Sequence, residues 1–324
     1  MLIPMKTIAF LLPERANIAT MENARQGFMA ANLYLQRSQR APCFDVRVVA
    51  AQAQVRLDGG RIMVNADSTL RDVGAVDICV VPPLAGDIPE AVNANAMMTE
   101  WLVGHHGSGG EVASLCLGAA LPAAGQLLNG QQAVVHWAAC TDYGVMFPKV
   151  RWISDRVVLA GNRLYTSGGA FSSAHLVLHL IEKYTDRDTA IWCAKFFQLD
   201  WSRQSQLPFS VFAGRRTHDD DLVRTVQDHI EAHFSDRLTV DDLAAKFLLG
   251  RRTLERRFRD ATRNSVVEYM QRIRVEAAKH QLERSRKTVG EVMYEVGYND
   301  PKAFRDVFNK YAGMTPVEYR ERYA

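Results

Sequence analysis

A repeat constrains this chain more than any other feature. Residues 241–313 open on DDLAAKFLLGRRTLERRF and close on EVMYEVGYNDPKAFRDVFNKYAG, with a long apolar-striped segment between. A shift of fifty positions sets Leu254 on Phe304, Phe258 on Phe308, and Val267-Glu268-Tyr269 on Val317-Glu318-Tyr319. Each copy predicts a short helix, a tight turn, and a second helix with apolar anchors at i and i+4, the spacing that puts two side chains on one helix face. Two helix-turn-helix units on one rigid spacer suggest a reader of duplex DNA.

Charge supports that reading. The net charge of +3 hides an asymmetry: residues 1–214 carry 17 basic and 17 acidic side chains, and residues 243–287 carry 13 against 5. A basic block in an otherwise neutral chain is the footprint expected for a polyanion partner. Length predicts about two domains, and the 48% of apolar residues is ample for their cores. Met1–Phe10 is too short and weakly apolar for a signal peptide, and no run of about 18 apolar residues offers a membrane span. A cytoplasmic protein with no membrane partner is therefore expected. The five cysteines, Cys43, Cys79, Cys116, Cys140 and Cys193, fit no metal spacing and are expected as free thiols. No metal and no cofactor are expected.

The first two hundred residues alternate. Lys6–Leu12 and Val76–Val81 are apolar runs suited to buried parallel strands, Phe44–Ala50 alternates as a strand should, and Ile18–Leu35 and Ala94–Gly104 read as helices. Strand and helix in turn predict a parallel sheet covered on both faces. Then Glu111–Leu115 runs into Cys116, and the small residues after it open a helix. A sharp strand-to-helix turn of this kind exposes one side chain beside free backbone N–H groups, where a thiol's pKa falls. Equally, cysteine is a common small core residue.

The segment SLCLGAALPAAGQLLNGQQAVVHWAA, with Asn162–Ala170 and the helix-like Ser172–Tyr184, resembles the ThiJ/PfpI family, relatives of the class I glutamine amidotransferases. The resemblance covers roughly residues 5–200 and implies a flavodoxin-like α/β fold. Enzymes of the family pair the elbow cysteine with a histidine and a carboxylate from the first loop. Here Ala19 stands at the acid's position, Glu14 and Glu22 lie at other phases, and Leu117 follows the cysteine where peptidase-like members have histidine. A thiol without base or orienting acid lacks its activation. The domain is accordingly expected to be non-catalytic and to hold a small-molecule effector in the crevice at the strand ends, with Cys116, Leu117, His136 and Trp137 as the candidate pocket. Trp137, with Trp101 and Trp152 as further walls, suits a cationic amine or quaternary ammonium compound through cation–π attraction. The alternative is a thiol-dependent enzyme or redox sensor using Cys116.

Past a linker without clear period, residues 206–220, helix signals are dense. Thr239 with Asp242 and Thr288 with Glu291 are capping boxes, Gly297 is a C′ glycine, and Asp300-Pro301 starts the last anchor helix. Val266, Tyr269, Met270, Ile273, Ala277 and His280 form one stripe along the spacer. The residues LAAKF, RRTLERRF, EYMQRIRVEAA, VGEVMYEVGYNDPKAFRDVF and GMTPVEYR closely resemble the AraC/XylS regulators. By that resemblance the two units enter successive major grooves. The first would use Arg252, Glu255 and Arg256, and the second Lys302, Arg305 and Asp306. Arg251, Thr253 and Arg259 complete the candidate DNA-binding set. Gly250 stands where a side-chain cap is usual, and Arg263–Val266 lacks the glycine and proline that the second copy keeps as Gly313 and Pro316.

The expected chain is thus a flavodoxin-like α/β domain, residues 1–205, followed by an all-α domain, residues 221–324, with helix-turn-helix motifs about 240–261 and 288–311. Its expected role is a ligand-responsive transcription activator, a homodimer on promoter DNA that works with RNA polymerase.

Overall fold

The computed structural model describes residues 4–324, so the first three residues of the expected N-terminal domain lie outside the described residues. Contacts divide the chain into two units, one ending at Gln206 and one spanning Leu207–Ala324.

The first unit is built on alternating strands and helices. β1 (Lys6–Leu11), α1 (Ile18–Arg37) and β2 (Phe44–Ala50) lead to a hairpin, β3 (Gln54–Leu57) and β4 (Ile62–Asn65), and the short β5 (Ser68–Thr69). β6 (Ile78–Val81), α2 (Ile88–Ala94), α3 (Ala96–Gly107), β7 (Glu111–Ser114) and α4 (Ala120–Ala124) follow. Then come β8 (Gln132–Val134), α5 (Cys140–Met146), β9 (Arg151–Ile153), β10 (Val158–Gly161), β11 (Leu164–Ser167), α6 (Ser173–Tyr184) and α7 (Arg187–Phe196). Seven strands form the main sheet in the order β10-β11-β7-β6-β1-β2-β5. It is parallel except for β10 against β11. The apolar runs explain this core. Ile8, Phe10, Ile78 and Val80 are buried on β1 and β6, the central strands, as a sheet covered on both faces requires. β3–β4 and β8–β9 form separate two-stranded ribbons.

The second unit is helical: α8 (Asp221–Ala232), α9 (Val240–Lys246), α10 (Arg251–Thr262), α11 (Val266–Arg284), α12 (Val289–Glu295), α13 (Pro301–Ala312) and α14 (Pro316–Tyr323). The fifty-residue repeat is structural down to its caps. Thr239/Asp242 and Thr288/Glu291 both close as capping boxes, as do Ser265/Glu268 and Thr315/Glu318. Arg263 takes the left-handed conformation at φ 62° that Gly313 takes at 69°. Leu248, at φ 53° and 93% exposed, likewise stands in for Gly297 in the first turn.

Two separate cores result. Val223, Val226, Ile230, Leu243, Leu254, Phe258 and Tyr269 form one, and Val275, Leu282, Val292, Phe304, Phe308 and Tyr319 the other. α11 serves both, which corrects the single stripe expected along it. Val266, Tyr269 and Met270 face the first core, while Val275, Ala278 and Leu282 face the second. At about 100° per residue these sets lie on nearly opposite sides of the helix. His280, beyond the switch, is exposed.

One difference between the copies has a measurable consequence. Asp300 accepts from Lys302 N and Ala303 N and so caps α13, whereas Gly250 offers α10 no side-chain cap. Asp300→Ala is expected to cost about 1 kcal/mol, and Asp300→Gly, which installs the first copy's residue, only a few tenths, read as shifts in denaturation midpoint at constant slope. Among the described residues no helix is long and apolar enough to cross a membrane.

Residues 207–216 lie along the helical unit. Tyr323 donates to Pro208 O (3.0 Å), the buried Lys279 ammonium to Ser210 O (2.8 Å), and Gln227 to Arg215 O (3.0 Å). Arg216 pairs with Asp228 and Glu231, both at 2.6 Å. Gly214, at φ 67°, is where Tyr269 passes so closely that a Cβ would meet its hydroxyl.

Candidate functional site

The two anchor helices turn their apolar faces inward and leave a polar face out. On α10, Leu254 and Phe258 are buried while Arg252, Thr253, Arg256 and Arg259 are exposed. On α13, Phe304 and Phe308 are buried while Lys302, Arg305 and Asp306 are exposed. Among the described residues Arg252, Arg259, Lys302, Arg305 and Asp306 have no side-chain partner, so their polar ends are available without breaking an internal bond. Arg256 lies a loose 4.0 Å from Asp260. Arg251 and Glu255 differ: Arg251 bonds Asp241 (2.9 Å) and Glu255 (3.3 Å), so both begin partly committed within the unit. Arg257 is bidentate to Asp220 at 2.9 and 2.7 Å and fastens α10 to the start of α8. That carboxyl is held below its usual range chiefly by the Arg257 hydrogen bond.

In the α/β unit the elbow forms as the sequence suggests. β7 ends, Cys116 takes φ 52°, and a 3₁₀ turn over Cys116–Ala119 leads into α4. Gly118 permits this, since a Cβ there would collide with Pro82 O. The chemistry differs from that of an activated nucleophile. Cys116 is 4% exposed, and burial pushes its thiol up to about 11 against a smaller downward pull from the Leu117 N–H. Among the described residues no imidazole or carboxylate is hydrogen-bonded to its sulfur. Glu22 is taken by Arg25 at 2.7 Å on its own helix. The buried Tyr143 donates to Leu117 O (2.6 Å) and packs edge-on to Trp152 at 5.0 Å.

His136 and Trp137 have other partners. His136 Nδ1 accepts from Ala138 N at 3.1 Å, and burial lowers its pKa, so the ring is a neutral cap on the turn after β8. Trp137 lies 5.2 Å from His136. Trp101 stacks on His105 instead, and Trp152 belongs to the Tyr143–Phe147 group. Among the described residues no ring contact joins Trp137 to either, so the three tryptophans do not form one aromatic box.

Gln206, which sequence reasoning left in a linker, anchors this corner. It is 2% exposed and uses its whole amide: Nε2 donates to Val135 O (3.0 Å) and Arg156 O (2.8 Å), and Oε1 accepts from Trp137 N (3.3 Å) and Gly169 N (3.1 Å). No local pattern marks it, because its partners lie 37 to 71 positions away.

Comparison with known proteins gives the same two parts. Residues 32–183 match the DJ-1/PfpI family and residues 243–322 a helix-turn-helix domain family. The transcriptional regulator GbdR of Pseudomonas aeruginosa is 24% identical over 323 residues, which is 98% of this chain and 84% of that protein. CdhR of the same species is 24% identical over 298 residues, covering 91% of this chain and 87% of that protein. The activator RhaS of Escherichia coli is 30% identical over 92 residues, 28% of this chain and 33% of its own length. Among solved structures, a transcriptional regulator protein of Vibrio parahaemolyticus matches at TM-score 0.53 and 20% identity over 59% of this chain and 98% of its own. DJ-1beta of Drosophila melanogaster matches at 0.50 and 17% over 60% and 99%.

Proposed function

We propose, for a chain that belongs to the AraC-type helix-turn-helix regulators and carries a DJ-1/PfpI-family domain ahead of them, a ligand-responsive transcription activator that reads duplex DNA through α10 and α13. The observation that carries this is the doubling: two helix-turn-helix units, each on its own core, each with exposed cationic side chains on its second helix. A major groove admits one helix, and arginine pairs bidentately with guanine. Arg252, Arg256, Lys302 and Arg305 are the base-reading candidates, with Thr253, Glu255 and Asp306 beside them and Arg251 and Arg259 at the phosphates. Arg305→Ala and Arg256→Ala should each cost about 1–3 kcal/mol on the preferred site and relax specificity at one position. Equal weakening across all sequences, with a shallower salt slope, would move that side chain to the phosphate set.

The α/β domain acts as sensor in this reading. A bound effector shifts the population toward the DNA-competent arrangement by its difference in affinity for the two states. A homodimer sets two such readers on one promoter, where the protein engages RNA polymerase. Catalysis has no part in the cycle. Cys116 is buried, its thiol favours the protonated form at neutral pH, and among the described residues no base is hydrogen-bonded to it. Folded protein treated with iodoacetamide at pH 7.5 should show Cys116 unmodified by peptide mass mapping, with labelling rising only toward pH 11. Fast stoichiometric labelling at neutral pH would restore the thiol-enzyme or redox reading.

A further inference from the structure

The two helix-turn-helix units have separate cores, and α11 joins them. It changes sides between Met270, in the first core, and Val275, in the second. The residues between, Gln271-Arg272-Ile273-Arg274, form its waist. A bend or twist there would move one recognition helix against the other while both cores stayed closed. Three of these four side chains reach outward to prevent it.

The Arg272 guanidinium lies over two rings, 5.0 Å from the centre of Phe212 and 5.0 Å from that of Tyr311. Phe212 packs on the first core and Tyr311 on the second. Tyr311 also donates to Gln271 Oε1 at 3.1 Å. Phe212 is itself fixed from both sides along the chain. The buried Lys279 ammonium holds Ser210 O at 2.8 Å, and Gln227 holds Arg215 O at 3.0 Å.

Arg274 sits two residues on, about 200° around the helix, and does the same on the other side. Its Nε donates to Phe234 O at 2.7 Å and one terminal nitrogen to Asp236 O at 2.8 Å, in the loop from α8 to α9 that leads into the first unit. Its guanidinium lies 5.4 Å from the ring centre of Tyr298, in the turn between α12 and α13. Tyr298 packs on the second core, 5.4 Å from Phe304. Each arginine thus has one partner in each unit, and the two act on nearly opposite sides of α11. Arginine suits this work, because its flat cation stacks on rings and its fork of donors fixes carbonyls. Neither residue lies on α10 or α13. On duplex DNA one base pair shifts a block by about 3.4 Å along the axis and about 35° around it. Two readers locked in this way fit one separation of their blocks.

We propose that Arg272 and Arg274 are positioning residues that set the spacing of the DNA site, by holding the two recognition helices in one register. The inference rests on the two-reader proposal above. The test is equilibrium binding of the full-length chain at fixed salt to three kinds of duplex. These are the site that the parent chain selects from random DNA, the same site with one base pair added or removed between its blocks, and a duplex that keeps one block. The parent should bind the respaced sites roughly 10-fold or more weaker, the scale of a mismatched base pair, whereas Arg272→Ala and Arg274→Ala should lose roughly 3-fold or less on respacing. Both variants should bind the original site more weakly than the parent and the single block equally well. Phe212→Leu, which keeps an apolar side chain on the first core, should match Arg272→Ala. Arg272→Lys should match it too, since an ammonium lacks the flat face that stacks. Full recovery with lysine would make Arg272 a phosphate contact and overturn its positioning role. A sharp spacing preference in every variant would overturn the proposal, and so would loss of single-block binding, which would mark these residues as parts of the fold alone. A parent that tolerates respacing would overturn it while leaving the two readers standing, whereas a parent that selects no two-block site would sink both.

Discussion

Phe258→Ala should unfold one DNA reader and spare the other. Phe258 is fully buried and meets Tyr269 edge-on at 5.2 Å, and the Tyr269 hydroxyl in turn bonds Glu231 and Gln227. Removing a ring from such a site costs about 3–5 kcal/mol, a large part of the 5–15 kcal/mol that typically holds a domain. The second core shares none of its buried residues with the first. Amide exchange should therefore rise across α9 and α10 while α12 and α13 stay protected, and a footprint on operator DNA should shrink by one block. Even loss of protection across all seven helices would show one cooperative unit instead of two.

Gln206→Leu should destabilise the α/β unit by about 2–4 kcal/mol, because it keeps the volume but strands two backbone N–H and two C=O groups whose desolvation is then uncompensated. Those groups belong to Val135, Trp137, Arg156 and Gly169. The melting transition of that unit should fall while affinity for DNA, carried by the other unit, holds at equal salt. An unchanged melt would mean that the four bonds contribute little net stability.

The contrast between these two residues marks what a sequence can carry. Phe258 was legible because its neighbours recur at helical spacing and its counterpart Phe308 stands fifty positions on. The capping boxes were legible for the same local reason, and so were β1, β2 and β6, whose apolar runs suit buried strands. The elbow was legible as a turn, but the protonated state of Cys116 was not, since burial by distant segments sets it. Gln206 carries no pattern, because its worth lies in backbone groups far along the chain. The β3–β4 hairpin was missed because its strands are four residues long and mostly exposed, too short for alternation to show. The face switch on α11 was hidden by reading one stripe where the helix serves two cores.

The central claim, that one chain reads DNA with two helices, is tested most directly by selecting bound sites from random duplex DNA with the full-length protein at fixed salt. A defined motif of two blocks, centred about 10 base pairs apart, one for each recognition helix, is the expected result. Binding that is blind to sequence and collapses with salt would contradict it, leaving a basic surface where two readers were inferred.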